Sequence, residues 1–552
     1  MINNKEDISK KFLYILMAVM VIIKLSLSAL QFITAYPETV APIDDYLMVT
    51  LAKNITEGNW LGAYNAMTLS KHSFFAVWLA LLHTLHIPFT IGNALLWSCA
   101  SWFFCHSIKP IIKKNYIYLI IFVGMLYNPA STAQFTTRIY RDSIFPALCL
   151  ILFSAITAIG IRYKEPLKNW IVYLIAWGLS FGAVYLTRED GIWVAPFIIV
   201  GVVIISVALI VQKQNRAVAK IISLVIVPII LFSSAIFSYA YMNYTHYGRF
   251  LISDFSQGEF KDAYGAMMSI KQDNPVDSVA VNKEVIDKLY KEVPTFAKLK
   301  DTLESKDIKN GYFDKTLKEY KGGSFYWALR MSAQQLGYYD SPQKAKQLYE
   351  DIYNEIVLAV NEGRLEVDGK LKSTVSPKIN FKYVPATFAE AFNSIKCVWG
   401  FEQTTFECLP SIGTKEEIAE IEEFVYQKGN VAYVANTDRL YFSPTRKLAN
   451  IFMSFVTIVY KIVIPVMTVS AILWQVKQLI EDLRKKQFTV YSMMNVIMLG
   501  HLLMAMFRIF MISYVEVSSF TIGTYVMYLA TVHPLVIGYS LIGFFNNFDE
   551  EL

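Results

Sequence analysis

Residues 73–85 read SFFAVWLALLHTL, Ser73 to Leu85. These 13 apolar residues would reach about 20 Å as a helix. A bilayer core is about 30 Å thick, so the stretch is too short for a comfortable crossing. Reading it as re-entrant or juxtamembrane decides the fold, because it sets which loops share a side. Ten longer apolar runs lie around it, at approximately 12–34, 88–108, 116–132, 143–161, 170–187, 192–211, 220–244, 449–476, 489–513 and 520–545. Each is long enough to cross, or nearly so.

With the short stretch held to one side, the basic residues sort. One side receives sixteen: Lys5, Lys10, Lys11, Lys109, Lys113, Lys114, Arg162, Lys164, Lys168, Lys213, Arg216, Lys220, Lys477, Arg484, Lys485 and Lys486. The short loops opposite hold five: Lys53, Lys71, Arg138, Arg141 and Arg188. The excess of Lys and Arg marks the cytoplasmic side, so both termini are expected there. A full crossing at Ser73–Leu85 would turn the Lys109–Lys114 cluster outward and break this pattern. The outward side then holds the loop from about Tyr36 to His72, the loop Ser131–Asp142, the turn Arg188–Gly191 and a large polar segment.

Composition agrees. The chain has 552 residues, is 55% hydrophobic and 17% charged, where soluble chains carry about 25% charged residues. The net charge of +6 comes from short basic clusters between apolar runs, so no nucleic-acid partner is expected. There is no zinc-type spacing, P-loop or Rossmann glycine motif. The first apolar run exceeds a signal-peptide core, which favours a retained helix. Cys99, Cys105 and Cys149 lie in apolar runs as thiols. Cys397 and Cys408 lie in the polar segment, where an extracytoplasmic location would allow a disulfide.

The expected architecture is an all-α polytopic membrane protein of about ten transmembrane helices and one re-entrant or juxtamembrane segment. Residues 1–244 form an N-terminal transmembrane domain, 245–448 a mostly helical extracytoplasmic domain, and 449–552 the last transmembrane helices. In the polar segment, Val279–Leu289, Ser341–Asn361 and Lys415–Tyr426 have amphipathic helical periodicity. Val431–Ala435 and Arg439–Phe442 read as short strands.

The chemistry-bearing residues gather near the outer face. Asp44-Asp45 follows the first crossing. It is either a solvated loop pair or the source of a carboxylate that takes a proton from a hydroxyl. Arg138 and Arg141, three apart, would share one side of a helix. With Asp142 they form an interfacial anchor or a phosphate-binding fork. Arg188-Glu189-Asp190 occupies a tight turn. Lys71-His72 caps the short apolar stretch or meets a lipid phosphate. Lys24, Lys461, Arg508 and His533 fall inside apolar runs, where charge is costly and usually faces the bundle interior. Arg508 either snorkels or binds a phosphate. Three successive outward loops carry an acid and a base close to the membrane, which suits a site joining a phosphate-bearing lipid to a hydroxyl acceptor.

These residues resemble the GT-C superfamily of membrane glycosyltransferases. That family includes protein O-mannosyltransferases, the aminoarabinose transferase of lipid A, and enzymes that modify bacterial polysaccharide and teichoic acid. The likeness covers roughly Phe12 to Tyr244. It rests on Ile43-Asp44-Asp45-Tyr46, on Lys71-His72-Ser73-Phe74-Phe75 leading into Leu79–Leu82, on Tyr127-Asn128-Pro129 before Arg138–Asp142, and on Leu186–Gly191. Gly322–Arg330, with Leu336-Gly337-Tyr338-Tyr339, resembles the outer domain of bacterial members, mainly Gram-positive.

The resemblance implies a sugar donor on a polyprenyl phosphate and inverting transfer on the outer face of the cell membrane. The acceptor would be a cell-envelope glycan or a lipid-linked saccharide. It implies Asp44 or Asp45 as general base, and Lys71, Arg138, Arg141, Arg188 and Arg508 against the donor phosphate. His72, Asp142, Glu189 and Asp190 are further candidates. Neither a metal nor a cofactor is called for. Relatives often carry Lys-Pro or His-Pro where this chain has Lys71-His72-Ser73. The alternatives are a transporter or flippase of lipid-linked saccharide, a polysaccharide polymerase or ligase using a lipid diphosphate, and a non-catalytic envelope scaffold.

Overall fold

The computed structural model describes residues 7–374, 379–431, 443–485 and 488–551. Among these the chain is helical, with isolated bridges and no extended strand. The expected strands at Val431–Ala435 and Arg439–Phe442 lie outside the described residues, Val431 excepted.

The N-terminal half holds α1 (Lys10–Ala29), α2 (Asp45–Thr56), α3 (Phe74–Thr84), α4 (Phe89–Ile108), α5 (Asn115–Leu126), α6 (Phe145–Ile161), α7 (Ile171–Thr187), α8 (Ala195–Val211) and α9 (Ala217–Tyr247). The polar segment forms α10 (Gly258–Met267), α11 (Lys283–Glu292) and the short α12–α14 (Pro294–Ala297, Lys300–Leu303, Lys306–Tyr312). It continues with α15 (Ser324–Gln335), α16 (Pro342–Asn361), α17 (Val384–Trp399) and α18 (Lys415–Val425). The chain ends with α19 (Pro444–Lys485), α20 (Val490–Val515) and α21 (Val532–Glu551).

Every one of the ten long runs contains a helix. Among the described residues five helices are long and apolar enough to cross a bilayer, and α5, α6, α7 and the first part of α21 are shorter apolar helices. The chain is a multi-pass membrane protein. The short stretch does not continue α4 as a straight crossing. Helices α3 and α4 meet at 111°, with His86 in the left-handed region and Pro88 at the α4 N-cap. Instead α3 packs against α2, α7 and α18.

Several runs overshoot their helices, each for a local reason. The 116–132 run ends as helix at Leu126, because Pro129 forces Asn128 into extended backbone and the Asn128 side chain caps a new turn at Ala130. The 12–34 run stops at Ala29. Ile33 and Thr34 then pair with Gly429 and Arg138. In the 520–545 run, Thr521 and Gly523 take positive φ, and the helix resumes only at Val532.

The polar segment divides between two cores. Residues from Phe260 to Leu365 surround their own apolar centre, whereas α17 and α18 bury Ala391, Val398, Ile418 and Ile421 in the core of the bundle. Helix α11 starts at Lys283, later than the expected Val279, because Asn282 caps it there by accepting from Val285 N. Ser341 accepts from Lys344 N ahead of Pro342, and Gly363 follows α16 with φ +73°. Cys397 and Cys408 are free thiols rather than a disulfide.

The basic loops assigned to one side share one end of the bundle. There the Asp7 carboxylate accepts from Asn115 N at 2.9 Å, Arg162 donates to Ser107 O at 2.6 Å, Lys220 donates to Tyr163 O at 2.9 Å, and Gln212 donates to Phe488 O at 2.8 Å. The acid-bearing loops share the other end.

Candidate active site

Asp44 and Asp45 stand at the start of α2, where carboxylates favour the helix dipole. Asp44 is the N-cap yet makes no capping bond, although Asp is among the strongest cap formers. Its carboxylate turns instead to the Lys71 ammonium, a close ion pair. It also accepts from the Tyr140 hydroxyl at 3.0 Å. Burial alone would raise its pKa, but Lys71, with help from Arg141 and Tyr140, brings it down to about 2. Its side chain keeps 35% of its surface open.

Asp45 points the other way. Its side chain is 2% exposed, and Arg138 grips it with a two-pronged fork: Nε to Oδ1 at 2.8 Å and Nη2 to Oδ2 at 2.5 Å. Burial outweighs the fork and lifts its pKa to about 6. The guanidinium lies against the rings of Tyr36 and Tyr140. Its backbone is held too, because Arg138 bridges Thr34 in the chain leaving α1.

Arg138 and Arg141 therefore do not share a helix face as their spacing suggested. Arg138 is extended, and a short turn begins only at Arg141. Arg141 diverges to Glu189, at 2.9 and 2.8 Å, and donates to the Tyr140 hydroxyl at 2.9 Å. Tyr140 thus links the Asp44–Lys71 pair to the Arg141–Glu189 pair. It was not foreseen, though it stands between both arginines in Arg138-Ile139-Tyr140-Arg141.

Behind this layer, Arg188 joins Asp142 at 2.5 Å and Asp190 at 2.8 Å, under the ring of Tyr528. Arg508 is fully buried on Asp190 at 2.6 Å. It does not snorkel: the carboxylate comes to it inside the bundle. His72 faces the wall. Its Nδ1 lies 2.6 Å from Tyr185 O and its Nε2 3.1 Å from the Ser256 hydroxyl. A carbonyl can only accept, so the proton sits on Nδ1, and burial favours this neutral ring. Glu189 also accepts from His72 N at 2.9 Å.

The loop carrying Lys71 is fastened by α15 of the polar segment. Arg330 donates to Ala66 O at 2.7 Å, Gln334 accepts from Ala66 N at 2.8 Å, and Tyr326 donates to Ser70 O at 2.9 Å. The remaining charges within apolar runs go elsewhere. Lys24 donates to the Ser131 hydroxyl at 2.6 Å. Lys461 lies 3.9 Å from Glu402. His533 packs edge-on to Phe401.

No family model matches the sequence, and no curated protein matches it. Among solved structures, the chain is similar to ArnT from Cupriavidus metallidurans in the apo state, at 9% identity and a TM-score of 0.32, over 96% of this chain and 77% of that one. It is also similar to ArnT from the same organism bound to undecaprenyl phosphate, at 10% identity and a TM-score of 0.28, over 97% of this chain and 78% of that one.

Proposed function

We propose that this chain is a GT-C-type membrane glycosyltransferase. It moves a sugar from a polyprenyl-phosphate donor to a cell-envelope glycan or lipid-linked acceptor on the outer face, with inversion. The observation that carries this reading is the meeting, at one end of the bundle, of the Asp44–Lys71 and Asp45–Arg138 pairs. The donor class comes from the sequence resemblance; the ion pairs support the residue roles given below. A transporter would need its charges near the bilayer midplane, whereas these pairs sit at the bundle end.

Asp44 is the base. Position is the first requirement for a base and pKa the second. Asp45 has the more suitable pKa but no free surface, and both its oxygens are on Arg138. Asp44 is open. Five acids (Asp44, Asp45, Asp142, Glu189 and Asp190) balance five bases (Lys71, Arg138, Arg141, Arg188 and Arg508). An incoming phosphate must therefore displace a carboxylate from one cation. Lys71–Asp44 is the most open of the pairs nearest α2. When Lys71 turns to the phosphate, Asp44 loses the partner that holds its basicity down.

Asp44 then takes the acceptor hydroxyl proton. The oxygen attacks the anomeric carbon, the bond from that carbon to the phosphate oxygen breaks, and the lipid phosphate leaves with the electron pair. Lys71, with Arg138 beside it, stabilises that charge. The test is incubation of purified protein with labelled polyprenyl-phosphate sugars and an envelope acceptor fraction. Transfer supports the reading. Tight binding without transfer, coupled to movement of the intact lipid across vesicles, would favour the flippase.

A further inference from the structure

Residues Gly322–Arg330 open α15. Its side chains act on the first outer loop in register. Tyr326, Arg330 and Gln334 bond Ser70 O, Ala66 O and Ala66 N. Arg330 is fully buried and also paired with Asp254 at 2.9 Å. This clamp fixes α15 against the loop that ends in Lys71. Trp327, on the same helix, then stands with its ring centroid 5.3 Å from the Lys71 ammonium. Tyr140 lies on that ammonium at 5.7 Å. Unlike Tyr326 and Arg330, Trp327 is only half-buried. Trp327 packs against the apolar centre of residues 260–365 and edge-on to Tyr326 at 4.9 Å, with part of the indole left open beside Lys71.

We propose that Trp327 is the sugar-contact residue of the donor subsite, offering its indole face to the C–H face of the transferred pyranose. This rests on the glycosyltransferase reading. In a glycosyl phosphate the sugar ring begins one bond from the phosphate oxygen. A side chain touching the cation that meets the phosphate therefore borders the ring. The aromatic face carries partial negative charge and attracts the polarised C–H bonds of a sugar, as it attracts the Lys71 ammonium. The outer domain thereby contributes to donor recognition as well as to loop position.

The test compares Trp327→Ala and Trp327→Phe with the unaltered full chain in nanodiscs. Two probes are used: undecaprenyl phosphate, and a panel of undecaprenyl-phosphate hexoses and N-acetylhexosamines. The unaltered protein should bind at least one glycosylated lipid more tightly than the bare lipid phosphate. Trp327→Ala should lower that affinity about 3- to 10-fold, as an aromatic contact would, while leaving bare-lipid binding within about 2-fold. Trp327→Phe should recover most of the loss. Equal losses for both lipids would overturn the proposal and make Trp327 a support for Lys71. No loss for either, with normal binding by the unaltered chain, overturns this proposal alone. If the unaltered chain binds neither lipid, the parent reading falls and this one with it.

Discussion

At the scale of single residues, the two adjacent aspartates have opposite environments. Asp44 is open and held ionised by Lys71; Asp45 is enclosed and raised to about 6. The sign of the second effect is definite. A carboxyl raised in the folded protein is ionised above about pH 6 and takes up a proton as pH falls through that value, loosening its hold on Arg138. Transfer should therefore fall on the acid side with a midpoint near 6, and Asp45→Asn, already uncharged, should lose that limb. A pH–rate profile of both proteins checks this. Arg188 makes a separate prediction. It serves Asp142, which is 3% exposed, so Arg188→Met leaves a buried carboxylate without its cation. The expected cost is about 3–5 kcal/mol, read as a lowered Tm. Adding Asp142→Asn should restore part of it.

At the scale of elements, the membrane helices were largely legible and the pairings between loops were not. The Ser73–Leu85 stretch forms the short helix α3, which turns 111° from α4. Asn128-Pro129 carried the signal for the early end of α5, although the apolar run continued past it. The helical spacing of Arg138 and Arg141 misled, because the backbone there is held by Thr34, far away in sequence. The site's main pairs join residues 27, 93 and 48 positions apart. No local pattern encodes such separations; the charge count put these loops on one side, and the partners within them were not legible. Helix packing also supports the site. Gly178 and Gly182 of α7 face α9, where a Cβ on Gly178 would come within 2.9 Å of Pro228 O. Small residues four apart permit such close approach. Gly178→Leu should push α7 from α9, lower Tm, and reduce activity through the Arg188–Asp190 turn that follows α7.

At the scale of the whole molecule, the charge pattern and the fold agree on two ends. Basic loops gather at one, the ion-paired site at the other. We propose, from the positive-inside rule, that the basic end faces the cytoplasm and the ion-paired site faces outward. The five cysteines are free thiols, so a cysteine-less background gives a direct test. A membrane-impermeant maleimide on intact cells should label Lys298→Cys and spare Lys168→Cys, both exposed positions. The reverse pattern would invert the topology and move the site to the cytoplasmic face.

The most direct measurement is transfer of label from a polyprenyl-phosphate sugar by the unaltered protein and by Asp44→Asn, with lipid binding followed in parallel. The account predicts transfer by the first. It predicts a loss of about 10²- to 10⁴-fold in the second, as expected for removal of a general base, with the lipid still bound. Undiminished transfer by Asp44→Asn would contradict it.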